Sequence, residues 1–231
     1  MRHETVHGPS HALVKVHLDP GETVIAEAGS MVTHTAGMAM EVKMNAGGKA
    51  GCIGTLVAFF VAVVRKFVGG DSFFVNHFHG GQTGGTVTLA PALNGSIEVK
   101  DLAAGEKLML TAGAYLASTP DINLEMRWGG LKGLLSKEGA FFVEASGPGK
   151  LMFNSYGGIY PVKVDGSYIV DNGHIVAFDS GLTFDIKSAG GGLMGMMASG
   201  EGLVCEFKGQ GTVYLQSRNV SALVDWISRM G

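Results

Sequence analysis

One arrangement recurs three times along this chain and constrains its fold more than any other feature. A tight turn is followed by a short apolar strand, a glycine-marked turn and a second strand. The first copy is Pro20-Gly21-Glu22 with Val24-Ile25-Ala26-Glu27-Ala28-Gly29-Ser30-Met31. The second is Ala104-Gly105-Glu106 with Leu108-Met109-Leu110-Thr111-Ala112-Gly113-Ala114-Tyr115. The third is Asp165-Gly166-Ser167 with Ile169-Val170-Asp171-Asn172-Gly173-His174-Ile175-Val176. Each copy runs on to a Gly-Gly and a short hydrophobic segment, at Gly47-Gly48, Gly129-Gly130 and Gly191-Gly192. An apolar pair and a strand then close each copy. They are Phe73-Phe74 with Thr86–Leu89, Phe141-Phe142 with Lys150–Phe153, and Leu203-Val204 with Thr212–Leu215. The glycines Gly84-Gly85, Gly147/Gly149 and Gly209/Gly211 read as hairpins between them. Fixed-order self-similarity of this kind marks a repeat architecture.

The expected fold is therefore all-β with few helices, one compact domain over residues 1–231. Its three diverged β-repeats cover about 12–101, 102–163 and 164–218, with a C-terminal helix over 219–231. Alternation supports strands: Val14, Val16 and Leu18 share one face, Lys15 and His17 the other. The 37 glycines, in a chain of 231 residues, are about twice the usual share of roughly 7% and follow no three-residue period. They serve turns and close backbone approaches. At the C-terminus, Val220, Leu223, Val224 and Ile227 form a helical stripe, started by Asn219 or Ser221 and expected to dock on the sheet.

Charged residues are only 16% of the chain, against about 25% in a typical domain, which points to a surface partly covered by other subunits or a partner. The net charge of −3 and the lack of any basic cluster argue against nucleic acid. Residues 1–10 are polar and lack the apolar run of a secretory signal, so a cytoplasmic location is expected. Cys52 and Cys205 read as reduced, buried small hydrophobes.

Ala50–Val64 carries no charge and is bounded by Lys49 and Arg65-Lys66. A helical span needs about 20 apolar residues, so this run is short for one. Ile53, Leu56, Phe59, Phe60, Val63 and Phe67 cover every side of such a helix, which reads as a helix buried on all faces or at an oligomer interface, with a membrane-touching segment as the alternative. A homo-oligomer is expected, with a trimer favoured.

The series Ala26–Met31, the segment Gly69-Gly70-Asp71-Ser72-Phe73-Phe74-Val75-Asn76-His77-Phe78, Leu89-Ala90-Pro91 and Thr212–Ser217 resemble the family of altered inheritance of mitochondria protein 24. The resemblance runs in the family's order from about Leu13 to Arg218. It implies a β-rich fold like that of the tryptophan RNA-binding attenuation protein, with repeated units about a pseudo-threefold axis, and no established catalytic activity. The family's mitochondrial member is associated with inner-membrane organisation. The Ala50–Val64 run departs from the lysine-containing amphipathic helix the family would place there.

No catalytic set emerges from the residues. His77 and His79 flank Phe78, so on a strand both imidazoles face one way and could share a metal, with His34 or His174 folding in as a third ligand. Ser72, with Asp71 and Asn76, lacks a nucleophile elbow. Glu22, Glu27 and Glu106 belong with turns rather than with each other. Gly129-Gly130 and Gly190–Gly192 lack the Gly-Lys-Ser/Thr ending of a phosphate loop. The methionines Met38, Met40, Met44, Met194, Met196 and Met197 suit core or interface packing. The preferred function is a non-enzymatic scaffold or assembly protein without a cofactor. A small-ligand or metal-binding β-module is the alternative, and an RNA-binding regulator ranks third.

Overall fold

A computed structural model of the chain describes residues 1–45, 73–128, 141–188 and 203–230. The strands are β1 (Arg2–Val6), β2 (Leu13–Leu18), β3 (Thr23–Glu27), β4 (Met31–His34), β5 (Ala39–Asn45), β6 (Phe73–His79), β7 (Gly85–Leu89) and β8 (Ile97–Leu102). They continue with β9 (Lys107–Thr111), β10 (Tyr115–Ser118), β11 (Asn123–Trp128), β12 (Phe141–Ser146), β13 (Gly149–Asn154) and β14 (Ile159–Asp171). After a 3₁₀ turn at Asn172–His174 come β15 (Ile175–Asp179), β16 (Thr183–Ser188), β17 (Leu203–Gln216) and the helix α1 (Val220–Ser228). The chain is nearly all-β, as its alternation requires. Among the described residues no helix is long and apolar enough to cross a membrane.

The strands form three antiparallel sheets. One runs β1-β2-β7-β4, the second β5-β6-β3-β10-β13-β8, and the third β11-β12-β9-β15-β17-β14 with β16 also on β17. The expected alternation in β2 holds, with Val14, Val16 and Leu18 buried while Lys15 and His17 stay half-exposed. Three apolar clusters fill the interior. Val14, Val16, Phe78, Val87 and Leu89 lead one, and Leu108, Leu110, Leu151 and Phe153 another. In the third, Phe178 packs against Phe142 edge to face, with centroids 5.5 Å apart, and against Phe207 at 5.2 Å. Edge-to-face geometry suits the ring quadrupoles.

The glycine pairs are not hairpins. β6 lies in the second sheet and β7 in the first, while β12 lies in the third and β13 in the second. Gly84 and Gly147 therefore mark corners where the chain changes sheets. A Cβ on Gly147 would sit 2.3 Å from the carbonyl oxygen of Ala103, so the corner closes only on glycine. In the third copy neither the turn at Gly166 nor the corner at Gly209 exists. β14 and β17 run through both points as single strands, and Gly166 pairs with Gly209. Both have positive φ, +96° and +115°, so the two strands bend together where the other copies break.

The C-terminal helix forms, but it does not dock. Asn219 caps it, its side-chain oxygen accepting from the Ser221 and Ala222 amides. No residue of the helix is buried, and Val224, Trp226 and Ile227 are each more than half exposed. The inward residues of β17, Val213 and Leu215, are already buried in the third apolar cluster with Val164, Phe178 and Leu182. No open sheet face remains for the stripe there. Cys205 is buried, as expected, and burial pushes its thiol up to about 12. Cys52 and the helix expected over Ile53–Val68, with Ile53, Leu56, Phe59, Phe60, Val63 and Phe67, lie outside the described residues.

These packing differences set a contrast in stability. Leu110→Ala, fully buried between β12 and β15, should cost about 2–5 kcal/mol. Ile227→Ala on the undocked helix should stay within about 0.5 kcal/mol. Urea unfolding followed by circular dichroism measures both, and a large loss at Ile227 would mean that the helix is packed.

Candidate functional site

The chemistry-bearing side chains gather on the strand pairs β5/β6, β11/β12 and β16/β17. On β5/β6, Glu41 stands opposite His77, Ala39 opposite His79 and Lys43 opposite Val75. His77 and His79 do share a face, with ring centroids 6.3 Å apart. His79 Nδ1 hydrogen-bonds the Thr23 hydroxyl at 2.8 Å. Its Nε2 is buried without a hydrogen-bond partner, 3.8 Å from Glu41 Oε2. Lys43 reaches the same Glu41 oxygen at 3.1 Å and holds that carboxyl below its ordinary range. Burial lowers the His77 pKa, and the positive charges of Lys43 and His79 lower it further.

The other two pairs carry related clusters. On β11/β12, Glu125 stands opposite Glu144. Glu144 Oε1 accepts from Lys107 Nζ and from Arg127 Nη2, each at 2.9 Å, and Arg127 also meets Glu125. Burial works to raise the Glu144 pKa, but the hydrogen bonds from Arg127 and Lys107 outweigh it and the net shift is downward. On β16/β17, Asp185 stands opposite Glu206. Glu206 accepts from Lys187, and at 3.1 Å each from Lys208 and the Ser167 hydroxyl. The lysine bonds bring its pKa down to about 2.

The sequence carries a signal for these clusters. Each outgoing strand carries acid, apolar residue, cation: Glu41-Val42-Lys43, Glu125-Met126-Arg127 and Asp185-Ile186-Lys187. In a strand this spacing puts the two charges on one face. The return strand then supplies Glu144 or Glu206, or His77 in the first pair. The pair His77 and His79 thus occupies a place that its counterparts use for ion pairing.

The remaining candidates are dispersed. His34 Nδ1 donates to the Thr35 carbonyl and His174 Nδ1 to the Gln216 carbonyl, so neither joins His77 and His79. Among the described residues no group of three or more His, Cys, Asp or Glu is placed to hold a metal ion. Asn76 is buried in the β3/β6 ladder opposite Ala26. Glu22 and Glu106 belong to their own turns, accepting from the Asp19 and Ala103 amides at 2.8 and 3.0 Å. Met38 is buried and Met40 exposed. Asp71, Ser72, Gly129-Gly130, Gly190–Gly192, Met194, Met196 and Met197 lie outside the described residues.

The clusters predict distinct pH responses. Glu206 has a folded pKa below its ordinary 4.5, so its contribution is full above about pH 4.5 and fades as the pH falls towards 2. His77 takes up its proton later in the folded chain, so its contribution is full above 6.5 and fades as the pH falls through the folded value. Glu206→Gln should flatten the stability profile below pH 4.5, and His77→Gln the profile just below 6.5. Urea midpoints measured from pH 3 to 8 check both, and identical profiles for wild type and variants would refute the assignments.

The family model described as mitochondrial biogenesis AIM24 matches residues 3–218. An uncharacterised protein of Streptococcus pyogenes serotype M6 is 34% identical over 221 residues, covering 94% of this chain and 86% of that protein. A crystal structure of a Streptococcus pyogenes protein from a structural-genomics programme superposes with a TM-score of 0.77 at 30% identity. That alignment covers 100% of this chain and 99% of the solved one. Matched by the family model over nearly its whole length, the chain belongs to the mitochondrial biogenesis AIM24 family.

Proposed function

We propose that this protein is a non-enzymatic scaffold or assembly protein that acts through its surfaces. The observation that carries the reading is where apolar side chains are left open. Val224, Trp226, Ile227 and Met230 at the C-terminus, Met31 and Val32 on β4, and Tyr168 and Ile169 on β14 are all exposed. Exposed apolar side chains that fall in adjacent or near-adjacent positions of one segment suit a surface that a partner covers. The charged side chains, by contrast, are engaged with one another in the three strand-pair clusters. A carboxylate held by two cations is a poor general base, because its proton affinity is already low.

In this reading the chain is a single domain of three β-units about a pseudo-threefold axis, an arrangement like that of the attenuation protein. It works as a homo-oligomer, with a trimer favoured, in the cytoplasm or at the periphery of a membrane. The apolar run Ala50–Val64 supplies one interface through Ile53, Leu56, Phe59, Phe60, Val63 and Phe67. The net charge of −3 supports a partner other than nucleic acid.

A second reading, a small-ligand or metal-binding β-module, is favoured by the buried, unpartnered Nε2 of His79. Metal analysis of the purified protein separates the two. Stoichiometric metal that disappears in His77→Ala/His79→Ala would favour the module.

For the scaffold, Phe59→Asp/Val63→Asp should lower the solution mass of the oligomer or release the protein from membranes. Light scattering and membrane fractionation read this out. If mass and partition both stay unchanged, the run is not an interface.

A further inference from the structure

We propose that the edge of β14 around Tyr168–Val170 takes up β4 of a second copy of this chain, joining copies head to tail through their sheets. The proposal rests on the assembly reading above and names a surface for it. Two such joins already exist within the chain. β3 pairs β6 on one side and β10 on the other, with Ala26 opposite Ala117 and Ile25 opposite Ser118. β9 pairs β12 on one side and β15 on the other, with Leu110 opposite Ala177 and Met109 opposite Phe178.

The C-terminal half of β14 stands in the same relation to the first half of β17. Ile169 lies opposite Glu206, as Met109 lies opposite Glu144 and Ile25 opposite His77. β4 pairs β7 as β10 pairs β13 and β15 pairs β17. The set of joins should therefore have a third member, β14 with β4. Among the described residues it is not made, since β4 ends one sheet and β14 ends another.

Exposure shows what that costs. On β10 and β15, Leu116 and Val176 are 0% and 1% exposed, whereas Val32 on β4 is 50% exposed. Val24 and Leu108 on β3 and β9 are both 0% exposed, whereas Tyr168 on β14 is 40% exposed and its neighbour Ile169 is 61%. At the positions that would meet, neither edge carries a lysine or a proline, although β4 is short and irregular at Val32. β4 reads Met-Val-Thr-His, and Tyr168-Ile169-Val170 has no charge. The occupant that fits β14 is thus a strand with β4's own character, and each copy carries one of each edge. Such a contact is heterologous and gives a ring or a filament, according to the rotation it imposes. The existing joins fix its register, with Thr33 opposite Val170 and His34 opposite Ile169.

Cysteine pairing tests this directly. In full-length Cys52→Ser protein, His34→Cys and Ile169→Cys are made separately, mixed and mildly oxidised. A covalent dimer should form in the mixture at least tenfold more than in either protein alone. The double variant should give a ladder of covalent multimers. A crosslink confined to single chains would mean that β4 closes on β14 of its own chain, and no crosslink would mean that the edges never meet; either overturns the proposal. In parallel, Ile169→Lys with an unchanged circular dichroism spectrum should reduce the light-scattering mass below that of the wild type, towards the single-chain 24.0 kDa. A wild-type protein already at that mass, or an Ile169→Lys protein of unchanged oligomeric mass, also overturns it. Failure here with a positive Phe59→Asp/Val63→Asp result would leave the assembly reading standing on the apolar run alone.

Discussion

The fold depends on two short strand joins, β3 with β10 and β9 with β15. Each is only two or three residue pairs long, yet the side chains they bring inward are among the most buried in the chain. A buried backbone group must find a partner, so a strand inside a sheet needs both of its neighbours. The joins also hold hydroxyls. Tyr115 donates to the Ile25 carbonyl at 3.1 Å and pairs with the Ser118 hydroxyl at 3.0 Å. At the second join Thr111 lies within 3.2 Å of the Ile175 carbonyl and 3.1 Å of the Val176 carbonyl. Small residues such as Ala26, Ala117 and Ala177 let the strands meet over a filled core. Without these joins the three apolar clusters would each face water along one side.

Charge follows from the same geometry. With so few charged residues, the chain places many of them where cross-strand pairing holds them, on the outer faces of three strand pairs. Lys107 and Arg127 are balanced by Glu144 and Glu125, and Lys187 and Lys208 by Glu206 and Asp185. The first pair differs because His77 and His79 stand there instead of a carboxylate. Burial and the neighbouring cations hold the His77 pKa below its ordinary value, so at this pair the imidazole stays neutral where its counterparts carry a carboxylate charge.

The sequence carried much of this in its periodicity. Val14, Val16 and Leu18 were legible as an inward face because a two-residue alternation has one structural reading. Glu22 and Glu106 were legible as turn residues from their place beside Gly21 and Gly105. Other features were hidden by context. β1 is a strand of exposed polar residues, Arg2 to Thr5, and it forms because β2 offers an unpaired edge, not because of any apolar pattern. The corners at Gly84 and Gly147 look like hairpins, since glycine allows both; only the sheet that receives the next strand decides between them. The stripe on α1 gave the helix correctly but could not give its environment. Whether it docks depends on how the face of β17 is filled, and Val164, Phe178 and Leu182, which help fill it, lie far from the helix in sequence.

Strand continuity accounts for where the open edges lie. After β6 and after β12 a glycine corner sends the next strand into a different sheet. By contrast, β14 and β17 stay paired through Gly166 and Gly209 along thirteen residues of β14. That long ladder stiffens the end of the chain and leaves the outer row of β14 backbone groups facing outward. Among the described residues no strand takes up that edge. At the other end, the N-terminal segment covers β2 with β1 and leaves β4 bare. The chain therefore uses its spare strand on one side of the first sheet, while the side that matches its own joins stays uncovered.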